Sequence, residues 1–504
     1  MARIIYTDQE SPDTIRDNWV EDQIYNGIDV LATRQVLDAL KPMLGPETSA
    51  TYDFSRALQG PAMEMGLRGI LVDQHQKALV IDDFYEKIDV LERNLSRIVL
   101  EGVGMPGFNW RSPKDLQALF YGKLGIPPIT FKGKVTTDRG ARDKLYQYMI
   151  ARPIINHLNI ITELGKKINV LKTAIDPDGR IRTTYNIAGT NTGRFSSSYS
   201  IFGTGGNLQN IEESLRSIFI SDPGYKFAKF DAKSGESFIV GAIEWNILDD
   251  STYLDACDTG DPHTAAARLC WPKMPWTGNM KADKKLADNS AAPFYRHHTH
   301  RQVTKKLGHA SNYGGMPATI STQTGLPLDL VTAFQPVYFR AFPAHQEWQM
   351  HVAQQIATKG YLTNLTGRKR WFWGRRTDPD TVREAIAYDP QGSLADIVNR
   401  AMLNIWRQNY TIIVLQDHDA ITVTYPEAIE DELIPRIMAD LIIRIPLKRG
   451  RELAIPYDCK TGWNRGDYDA KTNPEGLKDY TGSEKRKRQA QAGVLDRVVR
   501  RAYG

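Results

Sequence analysis

The chain has 504 residues, of which 41% are apolar and 24% are charged, and its formal net charge is +5. This composition is that of an ordinary globular protein with room for two to four sub-structures, and it excludes a fibrous or low-complexity chain. The opening MARIIYTDQESPD lacks a basic stretch followed by an apolar one, and no long apolar run occurs, so neither a secretory signal nor a membrane span is expected. The three cysteines have no metal-type spacing, which favours a reducing, cytoplasmic location.

Helical and β-rich stretches alternate along the chain. A first helix is predicted from Val30 to Leu44, and apolar residues at three- and four-residue steps predict mostly helices over 60–175. Short β-rich runs follow from Arg180, among them the strand KFAKFD, and residues 235–415 are again largely helical. The segment TIIVLQDHDAITVTY places two β-branched runs around a polar turn, which predicts a hairpin. Because distant stretches contribute the strands, the predicted fold class is α+β.

Two aspartates lie where the end of a strand would hold a carboxylate rigidly. Asp231 follows the apolar run Lys226–Phe230, and Asp419 lies near the tip of the predicted hairpin. Two converging carboxylates could bind magnesium ions and clamp a phosphoryl-transfer reaction. Taken singly, each is more often a turn or capping aspartate, so the metal interpretation depends on the residues around them.

A stripe of cations and rings occurs between positions 301 and 313. Its members recur every fourth residue, so they share one face of a helix: Arg301, Lys305, His309 and Tyr313. The pair Gly314 and Gly315 then favours a helix end. Such a face suits a nucleotide, with cations against phosphates and rings beside base and sugar. The alternative is that this helix face is simply solvated, with two cations and two surface aromatic rings, and it would show the same spacing.

Seven segments resemble the motifs of family A DNA polymerases, the DNA polymerase I type, and they occur in that family's order from about Glu64 to Trp463. TNTGRFSSS and GGNLQNI resemble the thumb-to-palm signature, and KFDAKSGESF and LQDHDA resemble the two palm motifs. RQVTKKLGHASNYGG resembles the fingers motif. Shorter matches are GDPHTAA, TGRKR and YDPQGSLADI, around His263, Arg368 and Gln391. The resemblance implies a DNA-dependent DNA polymerase.

The resemblance also implies a right-hand polymerase architecture, with a palm built on an antiparallel sheet and with helical fingers and thumb. Its expected divisions are an N-terminal segment similar to the end of an exonuclease (1–50), the approach to the palm with the helical thumb (51–175), the two parts of the palm (176–254 and 386–470), the fingers (255–385) and a basic tail (471–504).

Roles for individual residues follow from the same resemblance. Asp231 and Asp419 would hold two magnesium ions, one activating the primer 3′-hydroxyl and the other steadying the leaving pyrophosphate. Lys305 would assist catalysis, and Glu236 would obstruct a ribose 2′-hydroxyl. Seven residues would surround the incoming deoxynucleoside triphosphate: Arg301, Lys305, His263, His309, Tyr313, Glu236 and Ser234. Five would follow the primer–template DNA: Arg194, Asn207, Gln209, Gln391 and His418.

Four positions depart from the family pattern. His309 stands where Phe or Tyr is common, and its polar, titratable edge predicts altered sugar or base discrimination. Ala420 replaces the acidic residue usual after the second palm aspartate, whereas Asp417 is an additional carboxylate two residues before Asp419. Whether Asp417 compensates for Ala420 stays open from the sequence. Ser234 replaces a commoner glutamine, which puts one triphosphate contact in doubt.

Both ends of the chain carry features beyond these motifs. Tyr25 and Asp29 are spaced like the third motif of a 3′–5′ exonuclease, and Asp8 and Glu10 form a D-x-E pair, but the intervening chain is too short for that fold. We therefore expect no intrinsic proofreading, with a separate exonuclease or processivity subunit as a potential partner.

The tail EKRKRQAQAGVLDRVVRR has seven cations against two acids, which favours nonspecific DNA binding or a solvated helix.

Compactness and the departures favour a phage replication enzyme acting in the host cytoplasm. Two other functions would use part of the same set of residues. A single-subunit RNA polymerase shares palm and fingers, but Glu236 and the TGRFSSS signature argue against it. A DNA-binding scaffold without catalysis would not need the intact set Asp231, Asp419, Arg301 and Lys305.

Overall fold

The computed structural model of the protein describes residues 19–482. It begins with three helices and a short strand: α1 (Trp19–Leu40), α2 (Pro46–Ala57), α3 (Gln59–Arg68) and β1 (Ile70–Val72). The first helix starts earlier and ends sooner than the predicted range Val30–Leu44. A 3₁₀ turn at Lys41–Met43 follows it, because Pro42 lacks the N–H that would continue the α-helical hydrogen bonds.

Two features predicted at the chain ends fall partly or wholly outside the described residues. Tyr25 and Asp29 lie one turn apart on α1. The D-x-E pair of Asp8 and Glu10 and the basic tail EKRKRQAQAGVLDRVVRR lie outside the described range.

A helical unit with its own core follows. Its elements are α4 (Gln74–Val103), α5 (Pro113–Gln117), β2 (Thr130–Phe131), β3 (Lys134–Val135), α6 (Arg139–Leu145) and α7 (Arg152–Leu171). The longest helix is well bounded: the Asp73 carboxylate caps its start by accepting from the Gln76 N–H, and Gly104 ends it at φ 68°. The facing sides of α4 and α7 bury Leu95 and Leu158 in a core separate from the main one. The prediction of mostly helical structure over 60–175 is confirmed, and its exceptions are the three short strands β1, β2 and β3.

A β-rich stretch begins at Arg180, as predicted. Its strands are β4 (Arg180–Ile181), β5 (Thr184–Asn186), β6 (Ser196–Ser198), β7 (Phe219–Ile220) and β8 (Tyr225–Ala232). Strands β4, β1 and β7 form an antiparallel sheet in that order, whereas β5 pairs with β6. The predicted strand KFAKFD is confirmed as the body of β8.

Eight helices follow β8 without an intervening strand. They are α8 (Gly235–Leu248), α9 (Thr252–Asp258), α10 (Pro262–Cys270), α11 (Met280–Ala287), α12 (His300–Asn312), α13 (Pro317–Thr324), α14 (Leu328–Ala341) and α15 (Ala344–Lys359). A capping box between Thr299 and Gln302 starts α12, and Gly314 follows its end at φ 68°. The predicted helical stripe and its glycine stop are therefore confirmed.

The remaining elements return the chain to the main sheet. They are β9 (Tyr361–Thr363), β10 (Lys369–Trp371), α16 (Pro379–Gln408), β11 (Ile412–Asp417), β12 (Ala420–Pro426), α17 (Glu430–Asp440), β13 (Arg444–Pro446), β14 (Glu452–Ala454), β15 (Tyr457–Gly462) and β16 (Lys478–Asp479). The hairpin predicted from TIIVLQDHDAITVTY is confirmed as β11 and β12.

Five antiparallel strands form the central sheet, in the order β11–β12–β8–β15–β16. Its register aligns four residues across four strands, because Asp417 pairs with Ala420, Ala420 with Asp231, and Asp231 with Asp458. Directly paired residues point to the same face of a sheet. Sequence-distant carboxylates thus come together on one face of the sheet.

A buried ion pair links this sheet to the segment that follows β15. The Arg465 Nη2 lies 2.5 Å from Asp417 Oδ2, with side chains only 3% and 10% exposed. The backbone N–H of Arg465 donates to the carbonyl of Phe219 at 2.9 Å. Burial raises the pKa of Asp417, and the positive charge of Arg465 opposes that rise. The pair therefore joins the β11–β12 turn to the chain beyond the sheet.

Along residues 19–482, every helix is too short or too polar to cross a lipid bilayer.

Removing one partner of the buried pair should be costly, because it leaves the other charge buried and uncompensated. We expect Arg465→Met to lower the free energy of unfolding by about 3–5 kcal/mol in chemical denaturation. The double variant Asp417→Leu with Arg465→Met should recover much of that loss, since no unpaired charge remains. The half-exposed pair of Lys460 and Asp467 is the control, and Lys460→Met should cost no more than about 1 kcal/mol. Equal losses for the two single variants would contradict this account.

Candidate active site

Asp231 and Asp419 lie next to each other at the C-terminal end of β8, where the turn between β11 and β12 meets that strand. Asp231 is the penultimate residue of β8, with a half-exposed side chain, and Asp419 belongs to the two-residue turn between β11 and β12. The N–H of Ala232 donates to the Asp419 carbonyl at 3.0 Å, which fixes the turn against β8. The two carboxylates predicted from sequence are thereby brought together.

Strained backbone occurs beside each of these carboxylates. Ser234, at the junction of β8 and α8, has φ 51°, and His418, immediately before Asp419, has φ 52°. A residue other than glycine costs roughly 1–2 kcal/mol in this left-handed conformation. The surrounding sheet and helix must hold both positions in place, as is common at functional sites.

The guanidinium of Arg194 joins two carboxylates of the site. Its Nη2 lies 2.8 Å from Glu236 Oε1 and 3.5 Å from Asp419 Oδ1. Burial raises the pKa of Asp419, the neighbouring charges of Glu236 and Asp231 raise it further, and Arg194 opposes them. Lys229 lies 3.7 Å from Asp231. Negative charge is therefore concentrated between these strands and the start of α8.

Glu236 also connects the sheet to α12. The Tyr313 hydroxyl donates to Glu236 Oε2 at 2.5 Å, and His309 Nε2 lies 3.5 Å from the same oxygen. The two rings meet edge to face, with centroids 5.0 Å apart. Burial, with the neighbouring Glu236 charge, raises the pKa of Tyr313, so the hydroxyl keeps its proton and remains a donor. His309 is half-exposed, with its ring available to a ligand.

The start of α12 carries the cations of the predicted stripe. Arg301 makes two hydrogen bonds to Asp261, with Nε–Oδ2 2.8 Å and Nη2–Oδ1 3.2 Å. Asp261 also caps α10 by accepting from the Thr264 N–H. Burial alone would raise the pKa of Asp261, but Arg301 outweighs that effect and holds it below its ordinary value. Among the described residues, Lys305 is exposed and has no ion-pair partner within 4 Å.

His263 lies on α10 near the same cations. Burial first, and then the positive charges of Arg301 and Lys305, lower its pKa to about 4. The ring is therefore neutral at pH 7, so it can donate or accept a hydrogen bond without adding charge. The family resemblance assigned His263, Arg301 and Lys305 to the incoming triphosphate, and the structure brings these three side chains close to one another.

The five residues expected along DNA are found in different settings. The Gln209 side chain is buried and its amide donates to the backbone oxygen and to the side-chain oxygen of Gln416, both at 3.0 Å. Gln416 in turn donates to the His418 carbonyl at 2.7 Å, so Gln209 supports the turn that carries Asp419. Asn207 accepts from the N–H groups of the following turn.

His418 and Asn207 are the exposed members of that group, and His418 Nε2 lies 3.3 Å from Asn210 Oδ1. Gln391 is part-buried on α16. Arg194 lies at the two carboxylates described above. The direct DNA contacts of the five residues stay predictions, and for Gln209 the observed bonds indicate support of the turn.

Asp417 does not join the carboxylates of the site, which answers the question left open by the sequence. Although it shares a sheet face with Asp231, its carboxylate is buried against Arg465. Sequence reasoning missed Arg465 because it lies 48 residues away and carries no local signal. It also missed the hydrogen bonds that Arg301 donates to Asp261, although an aspartate before Pro262 is a recognisable helix-start signal.

The arrangement suits a divalent cation that keeps much of its own coordination shell. Within the described part of the chain, no group of three or more His, Cys, Asp or Glu side chains is arranged to hold a metal. Two adjacent carboxylates with excess negative charge match the way Mg²⁺ binds, through one or two carboxylates together with water and substrate phosphates. The residues present therefore fit a magnesium ion brought in with a phosphate ligand.

Comparison with known proteins decides the family. The family model described as "DNA polymerase family A" matches residues 79–269 and 289–466, which is most of the chain. The chain belongs to DNA polymerase family A. Both aspartates, Arg194, Glu236 and α12 lie within the matched ranges. Residues after 466, including β16, lie beyond them.

Relatives of this family A chain include two bacterial enzymes. It is 27% identical over 463 residues to DNA polymerase I of Chloroflexus aurantiacus, covering 86% of the chain and 45% of that protein. It is 25% identical over 467 residues to the thermostable DNA polymerase I of Thermus filiformis, covering 88% of the chain and 51% of that protein. The chain thus spans about half the length of the curated relatives it matches.

A solved structure shares the fold. The POL domain of Pol1 from M. smegmatis, in complex with DNA primer-template and dNTP, superimposes with a TM-score of 0.64 at 24% identity. The match covers 81% of this chain and 69% of that one. At this level of identity the likeness establishes the fold.

The low pKa of His263 predicts a pH dependence of stability. Between about pH 6.5 and 4 the unfolded chain binds the proton more readily than the folded one, so stability falls as the pH falls through this window. The variant His263→Gln lacks this titrating group. When the pH is lowered from 7 to 5, its free energy of unfolding in chemical denaturation should therefore fall by about 2 kcal/mol less than that of the native chain. Identical losses in the two proteins would contradict the lowered pKa.

Proposed function

We propose that this family A chain is a DNA-directed DNA polymerase that extends a primer 3′-hydroxyl with deoxynucleoside triphosphates and releases pyrophosphate. The observation that carries the proposal is the placement of Asp231 beside Asp419 and Arg194, with Glu236 linking Arg194 to His309 and Tyr313 at the end of α12. The comparisons support it through the DNA polymerase I enzymes that the chain resembles.

Magnesium would be held by Asp231 and Asp419. Two such ions would supply activation of the primer hydroxyl and neutralisation of the leaving pyrophosphate. The chain's own contribution is to hold both carboxylates at fixed positions, through the strand register and the bond from Ala232 to the Asp419 carbonyl. Rigid placement of this kind lowers the cost of orienting the reacting groups.

Triphosphate binding is assigned to the face of α12. Lys305 is exposed and carries no competing ion pair among the described residues, so its ammonium can bind phosphate oxygens. Arg301 is held in place by Asp261, which orients its remaining N–H groups, and neutral His263 can add a hydrogen bond. Tyr313 and His309 lie further along the same face and are assigned to the base and sugar.

Glu236 is assigned to sugar selection. Hydrogen bonds from Arg194 and Tyr313 fix its carboxylate between the sheet and α12. A carboxylate held there would occupy the space that a ribose 2′-hydroxyl needs. His309, 3.5 Å from the same carboxylate, gives this chain an additional polar group at the selecting position.

In the proposed right-hand arrangement, residues 51–175 contribute the approach to the palm and the helical thumb, 255–385 the fingers, and 176–254 with 386–470 the palm. The two-core organisation supports a separate thumb, because α4 and α7 enclose a core of their own.

Absence of proofreading, a phage replication role and a partner exonuclease or processivity subunit stay predictions. Removal of a mismatched primer end by the purified chain would contradict the first.

Primer extension with a matched pair of variants tests the proposal. Asp231→Asn should lower the extension rate about 10³-fold or more, because a metal-binding carboxylate contributes several kcal/mol to the transition state. Asp458 lies directly opposite Asp231 on β15, and Asp458→Asn serves as the matched control that retains near-native extension. Equal activity of the two variants, or no extension by the native chain while it still binds primer–template, would refute the assignment.

Sugar selection makes a second prediction. Glu236→Ala should raise ribonucleotide incorporation relative to deoxynucleotide incorporation by about tenfold or more, because the blocking anion is removed. Tyr313→Phe keeps the ring but deletes the hydrogen bond to Glu236, so it should give a smaller change in the same direction. Competition between the two nucleotide types in single-nucleotide extension measures the ratio. An unchanged ratio in Glu236→Ala would remove Glu236 from sugar selection.

A further inference from the structure

The hairpin of β9 and β10 presents aromatic rings to solvent. Trp373, just beyond β10, is 89% exposed, and Trp371 is 47% exposed. Trp371 pairs across the hairpin with Tyr361, with ring centroids 4.8 Å apart, and stacks towards Trp373 at 6.2 Å with an interplanar angle of 25°. Exposed large rings arranged in a row, as here, mark a binding surface more often than scattered single apolar residues do.

Strand alternation explains why these rings face outward. Phe372 is 6% exposed and packs edge to face on Tyr388 at 5.9 Å, so it anchors the segment to α16. Its two neighbours, Trp371 and Trp373, then point to the opposite side. The guanidinium of Arg370 lies on the buried side, 4.5 Å from the Phe372 ring, and pairs with Glu384. The outward rings are therefore a consequence of a well-anchored backbone.

Positive charge accompanies the rings. The segment RKRWFWGRR, residues 368–376, contains five cations and no acid. Arg368 and Arg370 are neutralised by Asp396 and Glu384. The other three cations have no ion pair among the described residues: Lys369, Arg375 and Arg376. Lys369 Nζ lies 3.9 Å from the Tyr361 ring centroid and 5.2 Å from that of Trp371. We call Tyr361, Lys369, Trp371, Trp373, Arg375 and Arg376 the ring surface.

The ring surface is tied to the candidate active site through Arg368. The Arg368 guanidinium bonds Asp396 on α16, with Nη2–Oδ1 2.7 Å. It also packs against Gly193 (φ 80°), where a Cβ would lie 2.9 Å from Arg368 Nε. Gly193 immediately precedes Arg194, which contacts Glu236 and Asp419. The residue that precedes Lys369 of the ring surface is therefore in contact with the loop that carries Arg194.

We propose that the ring surface binds the unpaired template strand ahead of the primer end, and this inference rests on the proposed polymerase function. Exposed rings flanked by unpaired cations suit single-stranded DNA, because bases stack on rings while phosphates meet cations. Duplex DNA buries its base faces in its own stack, so only an unpaired strand can use Trp371 and Trp373 in this way. The three cations without an ion pair among the described residues, Lys369, Arg375 and Arg376, favour a polyanion over an apolar protein segment.

Binding of two primer–template DNAs by the full chain tests the inference. They share one duplex and differ in the unpaired 5′ template extension, which has about ten nucleotides in one and a single nucleotide in the other. Trp373→Ala should weaken binding of the long extension about tenfold or more and leave the short one unchanged, whereas Trp373→Phe should retain most of the affinity. Because Trp373 is 89% exposed, its removal should not disturb folding.

Two further variants sharpen the result. Met350→Ala on α15 removes another side chain that is 64% exposed, and it should leave both affinities unchanged. Replacing Lys369, Arg375 and Arg376 together by Gln should reduce the salt dependence of binding to the long extension. Unchanged affinity of Trp373→Ala for the long extension, or equal weakening with both DNAs, would overturn the inference.

Primer extension is measured separately on the same preparations, so the two proposals fail separately. If Trp373→Ala extends primers normally and binds the DNA with the long unpaired template as tightly as the native chain, the ring-surface proposal is wrong and the polymerase proposal stands. If Asp231→Asn no longer extends primers but still binds that DNA with native affinity, both proposals are upheld.

Discussion

The register between β8 and β12 is the constraint on which the rest of the site depends. It sets Asp231 opposite Ala420, so that Asp419 in the adjoining turn lies beside Asp231 although 188 positions separate them in the chain. Side chains alternate along a strand, so a slip of one residue would turn Asp231 to the opposite face. The alternating burial of β8, with Phe230 and Ala232 inside and Asp231 outside, specifies the register.

The turn that carries Asp419 is held from both sides. On one side, Gln209 bonds Gln416, and Gln416 bonds the His418 carbonyl. On the other, Asp417 is buried against Arg465, which stands near the end of the family match. These contacts keep His418 in its left-handed conformation and fix the direction of the Asp419 side chain. The turn is therefore well supported, although Ala420, the residue after Asp419, contributes no carboxylate.

Arg194 and Glu236 extend this rigid centre towards the helices. One guanidinium reaches both Glu236 and Asp419, and Glu236 in turn accepts a hydrogen bond from Tyr313 at the end of α12. The same loop contacts Arg368 through Gly193. The sheet, α12 and the β9–β10 hairpin are thus linked by a short series of charged contacts. A substrate that spans phosphate, sugar and unpaired template would meet groups already oriented by one another.

Local sequence patterns predicted much of this architecture. The strand KFAKFD, the hairpin around Asp419 and the stripe on α12 each carry a periodicity that the fold keeps. The helix after Val30 was bounded less well, because Pro42 ends the α-helical pattern before Leu44. The bonds from Arg465, Asp261 and Gln209 could not be predicted, since each joins residues that are distant in sequence and carry no shared local signal.

Anomalous diffraction from the chain crystallised with primer–template, an incoming deoxynucleotide and Mn²⁺ tests the central claim most directly. Strong peaks in contact with the carboxylates of both Asp231 and Asp419, next to the nucleotide phosphates, are predicted. Metal bound elsewhere, or a nucleotide bound away from these two residues and α12, would contradict the account.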